Sequence, residues 1–584
     1  MKMKTKIWLM MLCLLSIGAQ AQELTEKIRL NQVGFYPNAP KLAVVETDGV
    51  RDFYIRQAGK KKQVFQGKLS APRKSEFSEK QLCVADFSAL KTPGSYELVV
   101  AGVGVSYVFE VKADVHREVT QGAIRGFYYQ RVSTALPKKY AGIWHRPAGH
   151  SDDHVLIHPS AASSTRPAAS IISGTRGWYD AGDYNKYIVN SGITMGTLLS
   201  AYEDYPEFYD RLALNIPESS NHVPDLLDEA LWNLRWMLTM QDPMDGGVYH
   251  KLTNPRFDKF VMPAEAKEPR YVVQKGTAAA LDFAAVMAQA SRVLKRFDAH
   301  LPGLADSCLA AAKQAWAWAE KNPAVEYDQQ AINNAFDPDV VTGAYGDKVF
   351  DDEVAWAACE LYATTHQAVY LDAFKKLAVV KPVLPSWSQV RLLGYYTFIR
   401  LEKQLPPEAS PVVEAAKNAI ETFAQELVTG VDVRSFKTVM GGSPRDFIWG
   451  SSSVAANQSI VLLNAYRVTK NKKFIDYALT NLDYLLGRNG TGYSFLTGYG
   501  DKPPMHIHHR PSEADGIVPP VPGLLSGGPN PGKQDHCNYT TSVANEAFVD
   551  DVCSYASNEI AINWNAPLVY LAGAIEALQK QAGY

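Results

Sequence analysis

The apolar pattern of the chain changes period once, near residue 113, and that change limits the folds open to it. Before it, apolar residues come in short β-rich runs: Leu42-Ala43-Val44-Val45, Phe53-Tyr54-Ile55, Tyr96-Glu97-Leu98-Val99-Val100 and Tyr107-Val108-Phe109-Glu110-Val111. Asp48-Gly49 and Pro93-Gly94 mark turns between them. Runs of this kind bounded by turn residues read as strands, and segment 22–113 suits a small β-sandwich. Beyond it the period is helical. Leu226, Leu227, Ala230, Leu231, Leu234, Met237 and Leu238 share one face, and similar stripes run over 275–294, 309–319, 352–364, 413–428, 459–466 and 474–486. Strands do not alternate with these helices, which argues against a TIM barrel or a doubly wound sheet. Segment 114–584 reads as antiparallel helices with long loops, a helical toroid whose loops at one end form a cleft.

The chain has 584 residues and a formal net charge of −2. No basic surface argues for nucleic acid or an anionic membrane. With 11 Trp, 30 Tyr and 22 Phe, it has rings both for cores and for stacking against sugars. Residues 1–21 read as a secretory signal: Lys2, Lys4 and Lys6 precede an apolar run over 7–15, and Ala19-Gln20-Ala21 offers a cleavage site. Met11-Leu12 before Cys13 makes a poor lipid-attachment site. The expectation is therefore an exported protein, periplasmic, cell-surface or secreted. Five scattered Cys remain after cleavage, with no C-x-x-C pair, so neither a disulfide-dense scaffold nor a zinc framework is expected. Cys537 and Cys553 are candidates to pair; buried free thiols are the default for the others.

Three stretches carry chemistry. Gly177-Trp178-Tyr179-Asp180-Ala181-Gly182-Asp183-Tyr184-Asn185-Lys186-Tyr187 sets two carboxylates among small residues and rings. Alone, it reads equally as a turn in which Asp183 caps a helix. The second runs over 494–511 and holds His506-Ile507-His508-His509-Arg510, a polar loop suited to metal, sugar hydroxyls or carboxylates. The third, over 548–566, contains Asp550, Tyr555, Glu559 and Trp564 just before an apolar final helix.

Together these stretches resemble glycoside hydrolase family 9. Ser494, Leu496, Thr497, Gly500, Lys502, Ile507, His508 and Arg510 fit its His-x-Arg signature, and Phe548, Asp550, Tyr555, Glu559, Ala561, Asn565 and Ala566 fit its acidic one. The D-A-G-D element lies early in the domain, as in the family. Ile28-Arg29-Leu30-Asn31-Gln32-Val33-Gly34-Phe35 resembles the start of the immunoglobulin-like domain that precedes many of its barrels. The resemblance implies a β-sandwich followed by an (α/α)6 barrel, and an inverting endo-acting β-1,4-glucanase. It implies Asp183 as general base, Asp180 as its aide in placing water, and Glu559 as general acid, with His508 and Asp550 also among the catalytic residues. His508 and Arg510 would line the subsite at the cleaved bond, and Trp387 and Trp449 look like cleft platforms. Tyr184 is a candidate partner of the paired carboxylates, and Trp564 would shape the subsite beside Glu559.

The resemblance requires no cofactor. Gln130-Arg131-Val132 and the Cys-free stretch 144–158 stand where some members bind zinc, so zinc is not expected. Asp352-Glu353 resembles a calcium-binding element of the family; ordinary charge at a helix start is the alternative. The expected partner is a β-glucan, handled by a monomer. With no carbohydrate-binding module after the barrel, soluble or branched glucans are favoured. Xyloglucan or mixed-linkage glucan, an exo-acting mode, and a non-catalytic glycan-binding protein are the alternatives.

Overall fold

The computed structural model describes residues 23–584 apart from Val50 and Glu76; the signal segment 1–21 lies outside the described residues. Two sheets face each other in the N-terminal part. One orders its strands Ile28–Arg29, Leu42–Glu46, Gln81–Asp86 and Arg73–Lys74, all antiparallel. The other orders Gly34–Phe35, Phe109–Val111, Gly94–Val100, Asp52–Gln57 and Gln63–Lys68, with Gly104–Val105 paired to Gly94–Val100. Phe35, Phe53, Phe87, Tyr96, Leu98 and Phe109 fill the space between. Three of the four runs read as strands lie wholly in strands, and the fourth, 107–111, does so from Phe109. Gln63–Lys68 escaped that reading because it is an edge strand with mostly exposed polar residues.

From Arg117 onward, twelve long helices alternate between an outer and an inner ring. The outer ones are Arg117–Tyr129, Asp225–Thr239, Leu304–Lys321, Ala368–Lys375, Ser410–Val428 and Lys473–Leu485; the inner ones are Ile188–Asp204, Thr277–Leu294, Asp351–Thr365, Arg391–Leu401, Ser451–Thr469 and Ile562–Ala582. The last inner helix packs on the first and closes the ring. Inner helices are buried on nearly every face: Thr277–Leu294 exposes almost nothing. Outer helices keep one polar side; Ser410–Val428 buries only Val413, Ala416, Ile420 and Ala424. Ile188–Asp204 and Arg391–Leu401 gave no stripe to read because a helix buried all round has none.

Two features of this part differ from the sequence reading. A small five-stranded sheet lies among the loops, in the order Ile171–Ile172, Val155–Ile157, Tyr271–Val272, Lys251–Thr253 and Lys186–Tyr187. Segment 512–533, whose Pro and Gly content suggests a long surface loop, is interior over 523–530. Its backbone is satisfied there: Ser526 N–H donates to Phe495 O (2.9 Å), and Gly527 N–H to Glu559 O (2.8 Å).

The sandwich is docked by its first strand region. The Gln32 amide donates to Gly492 O (2.7 Å) and accepts from Asp501 N–H (2.9 Å) and Lys502 N–H (2.8 Å). Asn31 donates to Asp483 (2.9 Å), and the Tyr36 hydroxyl to Glu576 (2.6 Å). Gln32 is buried, so replacing it by Leu strands two loop N–H groups and one carbonyl. Q32L should lower the unfolding free energy by about 3–9 kcal/mol, at about 1–3 kcal/mol for each of the three orphaned groups, read as a lower midpoint in denaturant unfolding.

Candidate active site

Local backbone pairing builds the site. After the first outer helix, Tyr179 N–H donates to Gln130 O (2.8 Å), and the Gln130 side chain donates to Ala181 O (2.9 Å). Asp180 N–H turns back onto Asn185 O (3.0 Å). Downstream, Lys186 enters a buried triad, with Asp152 accepting from Lys186 Nζ (2.7 Å) and Arg270 Nε (3.0 Å). This D-A-G-D turn meets the far end of the domain. Ala181 bridges Ala561, Ile562 N–H donates to Asp180 O (2.8 Å), and Gly182 N–H donates to Glu559 Oε1 (3.3 Å). The His loop forms the third side: His508 bridges Glu559, and Arg510 N–H donates to Gly182 O (3.1 Å).

These segments enclose a cavity of about 500 Å³ at the N-terminal ends of the inner helices. Asp180, Asp183 and Glu559 line it together with Tyr187, Phe257, Val341, Thr342, Gly343, Tyr345, Trp449, His508, Arg510 and Tyr555. A larger cavity, about 640 Å³, opens at the opposite end among Asp204, Arg467 and Glu576. Its Asp204 is already neutralised by Arg400 and Arg467, at 2.8 and 2.6 Å.

The three acids occupy different environments. Asp180 is buried and accepts from Asn190 Nδ2 at both oxygens (3.1 and 2.9 Å) and from the Tyr345 hydroxyl (3.3 Å). Burial, then the charge of Asp183, push it well above the ordinary carboxylate range despite those donors. Asp183 Oδ2 accepts from Asn185 Nδ2 and the Tyr187 hydroxyl, while its Oδ1 is buried without a protein partner. Glu559 is pushed well above its ordinary value by burial and then by Asp183; Arg510 and Gly182 N–H oppose this. Glu559 is thus biased toward its protonated form in the same cavity as Asp183 with its unused oxygen, an arrangement suited to acid–base chemistry.

Other expectations divide. His508 and Arg510 lie in the cavity as read. Burial holds His508 below its ordinary pKa, so the ring is neutral with Nδ1–H on Val552 O (2.6 Å) and Nε2 left as an acceptor. Arg510 donates to Gly182 O and Asp258 O (2.8 Å each) and lies over Phe257 and Phe260. Trp449 lines the cavity, its ring 5.4 Å from Tyr555. Trp387 stands behind the wall, edge-on to Tyr345 at 5.3 Å.

Three assignments are corrected. Asp550 does not face the cavity; its carboxylate accepts from Met505 N–H, His506 N–H and Asn558 Nδ2 (2.8–2.9 Å) and braces the His loop. Tyr184 is buried with its hydroxyl on Val261 O (2.6 Å), so Asn185 and Tyr187 support Asp183 instead. Trp564 lies against Gly450, where a Cβ would meet its indole at 2.5 Å, and does not line the cavity. Nor does Asp183 cap a helix: the following helix begins at Ile188 without a side-chain cap. Sequence reading missed the wall 341–345 and the ring of Phe257, which come from loops without a compact motif. Asn185 and Tyr187 sat inside the quoted motif and were not singled out.

A glutamic acid of raised pKa and an aspartate in one ring-lined cavity, at the mouth of a double helical ring, are the groups that glycoside hydrolysis needs. The glycosyl hydrolase family 9 model matches residues 116–572 and the cellulase N-terminal Ig-like domain model residues 23–105. The chain belongs to glycosyl hydrolase family 9. It is 47% identical over 554 residues to a xyloglucan-specific endo-β-1,4-glucanase of Bacteroides ovatus, covering 95% of this chain and 94% of that protein. It is 33% identical to endoglucanase D of Acetivibrio thermocellus, covering 94% of this chain and 83% of that one. The solved structure of a Bacteroides ovatus family 9 protein superposes with a TM-score of 0.91 at 46% identity, covering 95% of this chain and all of that one.

Gly182 tests the packing. A Cβ there would lie 2.0 Å from His508 O and 3.2 Å from Glu559 Oε1. Gly182→Ala should force the acid and the His loop away from the turn and lower kcat by about 100-fold, the cost of an ångström-scale misplacement. Circular dichroism should remain that of the native protein.

Proposed function

We propose that the protein hydrolyses internal β-1,4-glucosidic bonds by inversion, with Asp183 as base, Glu559 as acid and Asp180 as the base's aide, and that xyloglucan is its preferred glucan. The observation that carries this is the pairing of Asp183, with its unused Oδ1, and the raised Glu559 in one cavity. Protonation of the leaving oxygen by Glu559 and water attack assisted by Asp183 constitute a single displacement. Trp449 and Tyr555 offer faces for stacking a glucan backbone. The xyloglucan preference is supported by the Bacteroides ovatus relative and by an apolar rim: Phe257, Phe260 and Val341 are 46, 40 and 57% exposed. An exposed apolar rim suits the side sugars of a branched chain.

Export fits the Cys537–Cys553 disulfide, since disulfides persist in oxidising compartments. No helix of the described residues is long and apolar enough to cross a membrane. A single chain carries every residue of the mechanism, which suits a monomer.

D183A and E559Q should each lower reducing-sugar release from xyloglucan, barley β-glucan and carboxymethylcellulose by at least about 1,000-fold, the two groups being the acid and base themselves. NMR of fresh wild-type product should show the α-anomer. Glu559 acts protonated, so activity should fall as pH rises through its raised pKa, giving a basic limb above the ordinary carboxylate range. Retained activity in D183A, or a β-anomer, overturns the assignment.

We also infer a structural calcium site around Asp352 and Glu353. Asp352 spends Oδ2 on Val390 N–H (2.7 Å), but Glu353 and the neighbouring Asp282 are buried with no hydrogen bond to any of their four carboxylate oxygens. Burial raises all three, and the charge of Asp347 adds to it at each; Asp352 adds further at Asp282 and Glu353. Among the described residues no three such side chains already converge as a metal cage, so binding would draw these oxygens together. Hard carboxylates suit calcium. Added calcium should raise the thermal midpoint, by about 4 kcal/mol of linkage at 1,000 times Kd, and E353Q should abolish that rise; no rise in wild type overturns the site.

A further inference from the structure

Lys251 is fully buried in the strand Lys251–Thr253, yet no carboxylate pairs with it among the described ion pairs. Its Nζ donates instead to Gln329 Oε1 (2.7 Å), Gly343 O (2.6 Å) and Thr342 Oγ1 (3.1 Å). Gln329 is oriented by its own donation to Thr342 O (2.8 Å), so its oxygen must face the lysine. Burying a cation among neutral acceptors is costly. Burial drives Lys251 well below its ordinary pKa and the charge of Asp183 opposes that. A residue kept at such cost invites a functional reason.

Two paths lead from Lys251 to the base. Across the sheet it is the register partner of Tyr187, whose hydroxyl donates to Asp183 Oδ2 (3.1 Å). The second path is a chain of hydrogen bonds. Thr253 Oγ1 has one proton to give, to Asn254 O (2.8 Å) or to Asn185 Oδ1 (3.0 Å), and Asn254 N–H fixes that same Asn185 oxygen (2.9 Å), so Asn185 Nδ2 points at Asp183 Oδ2 whichever of the two Thr253 serves. With Thr253 spending its proton on one or the other, its 2.6 Å contact with Thr342 is donated by Thr342, which accepts from Lys251. Hydrogen-bonding contacts therefore run unbroken from Lys251 through Thr342, Thr253 and Asn185 to the carboxylate.

Lys251 also holds the wall that faces the base, because Thr342 and Gly343 line the cavity. His250 secures the same wall through Ala344 O (2.8 Å).

We propose that Lys251 is a positioning residue for Asp183, fixing the orientation of its carboxylate through Thr342, Thr253 and Asn185 while clamping the cavity wall at 342–343. This rests on Asp183 being the base. The reacting oxygen, Oδ1, stays unused only while Oδ2 is held, and Lys251 is the far anchor of that hold.

The test compares wild type, K251M, T253V and T253S on the glucan that wild type cleaves best, with amide hydrogen exchange of each variant. K251M should lower kcat by about 10- to 100-fold with KM within about 2-fold, the pattern of a misaligned group rather than a lost binding contact. T253V, which breaks only the chain, should lose kcat similarly and T253S should recover it. Exchange over 340–346 should quicken in K251M and not in T253V. Wild-type kcat in a folded K251M or in T253V overturns the proposal, as does unchanged exchange in K251M. Should K251M not fold, T253V against T253S decides. A wild type inactive on every glucan overturns the functional reading instead, and the exchange result still decides the clamp.

Discussion

The site depends on one backbone seam, where residues 180–182 pair with 559–562. It joins the approach to the first inner helix with the approach to the last, so it closes the ring and brings Glu559 to Asp183 in one step. Each seam hydrogen bond contributes only about 1 kcal/mol net. Its leverage lies in register: Gly182 touches both the His508 carbonyl and Glu559, so the turn, the His loop and the acid cannot move independently.

Much of this was legible in the chain because each signal had a local physical cause. Period-2 runs marked strands of the sandwich, and half-buried outer helices such as Asp225–Thr239 kept a readable stripe. Asp183 and Glu559 could be found because motif residues surround each of them. What stayed hidden was set by burial or distance. Ile188–Asp204 has no polar face to mark it. Wall residues Val341 to Tyr345 act through loop packing, and Lys251 looks like any strand lysine until its acceptors are known. Asp550, Tyr184 and Trp564 were misplaced because being near a catalytic residue in sequence does not show which way a side chain points. Asp550 bonds the backbone of the neighbouring loop, and the Tyr184 ring packs against Tyr179 at 4.7 Å.

Charge is treated differently in scaffold and cleft. Beneath the site, Asp152 is matched by Lys186 and Arg270, and Arg131 by Glu218 and Glu229 (3.0 and 2.7 Å). Burial makes such pairing obligatory. In the cleft the acids face one another with few cations, and Asp180 and Glu559 are forced toward their neutral forms. The rigid, compensated layer underneath lets that uncompensated layer persist.

The seam also has a temporal consequence. Asp183 lies near the start of the helical domain and Glu559 on the last approach to it, so bringing them together is a strongly non-local event. Contacts that close long loops form late. A folding intermediate lacking only the docked final helix would hold most of its barrel and no working pair of acids. Activity therefore reports completion of the fold rather than accumulation of its parts.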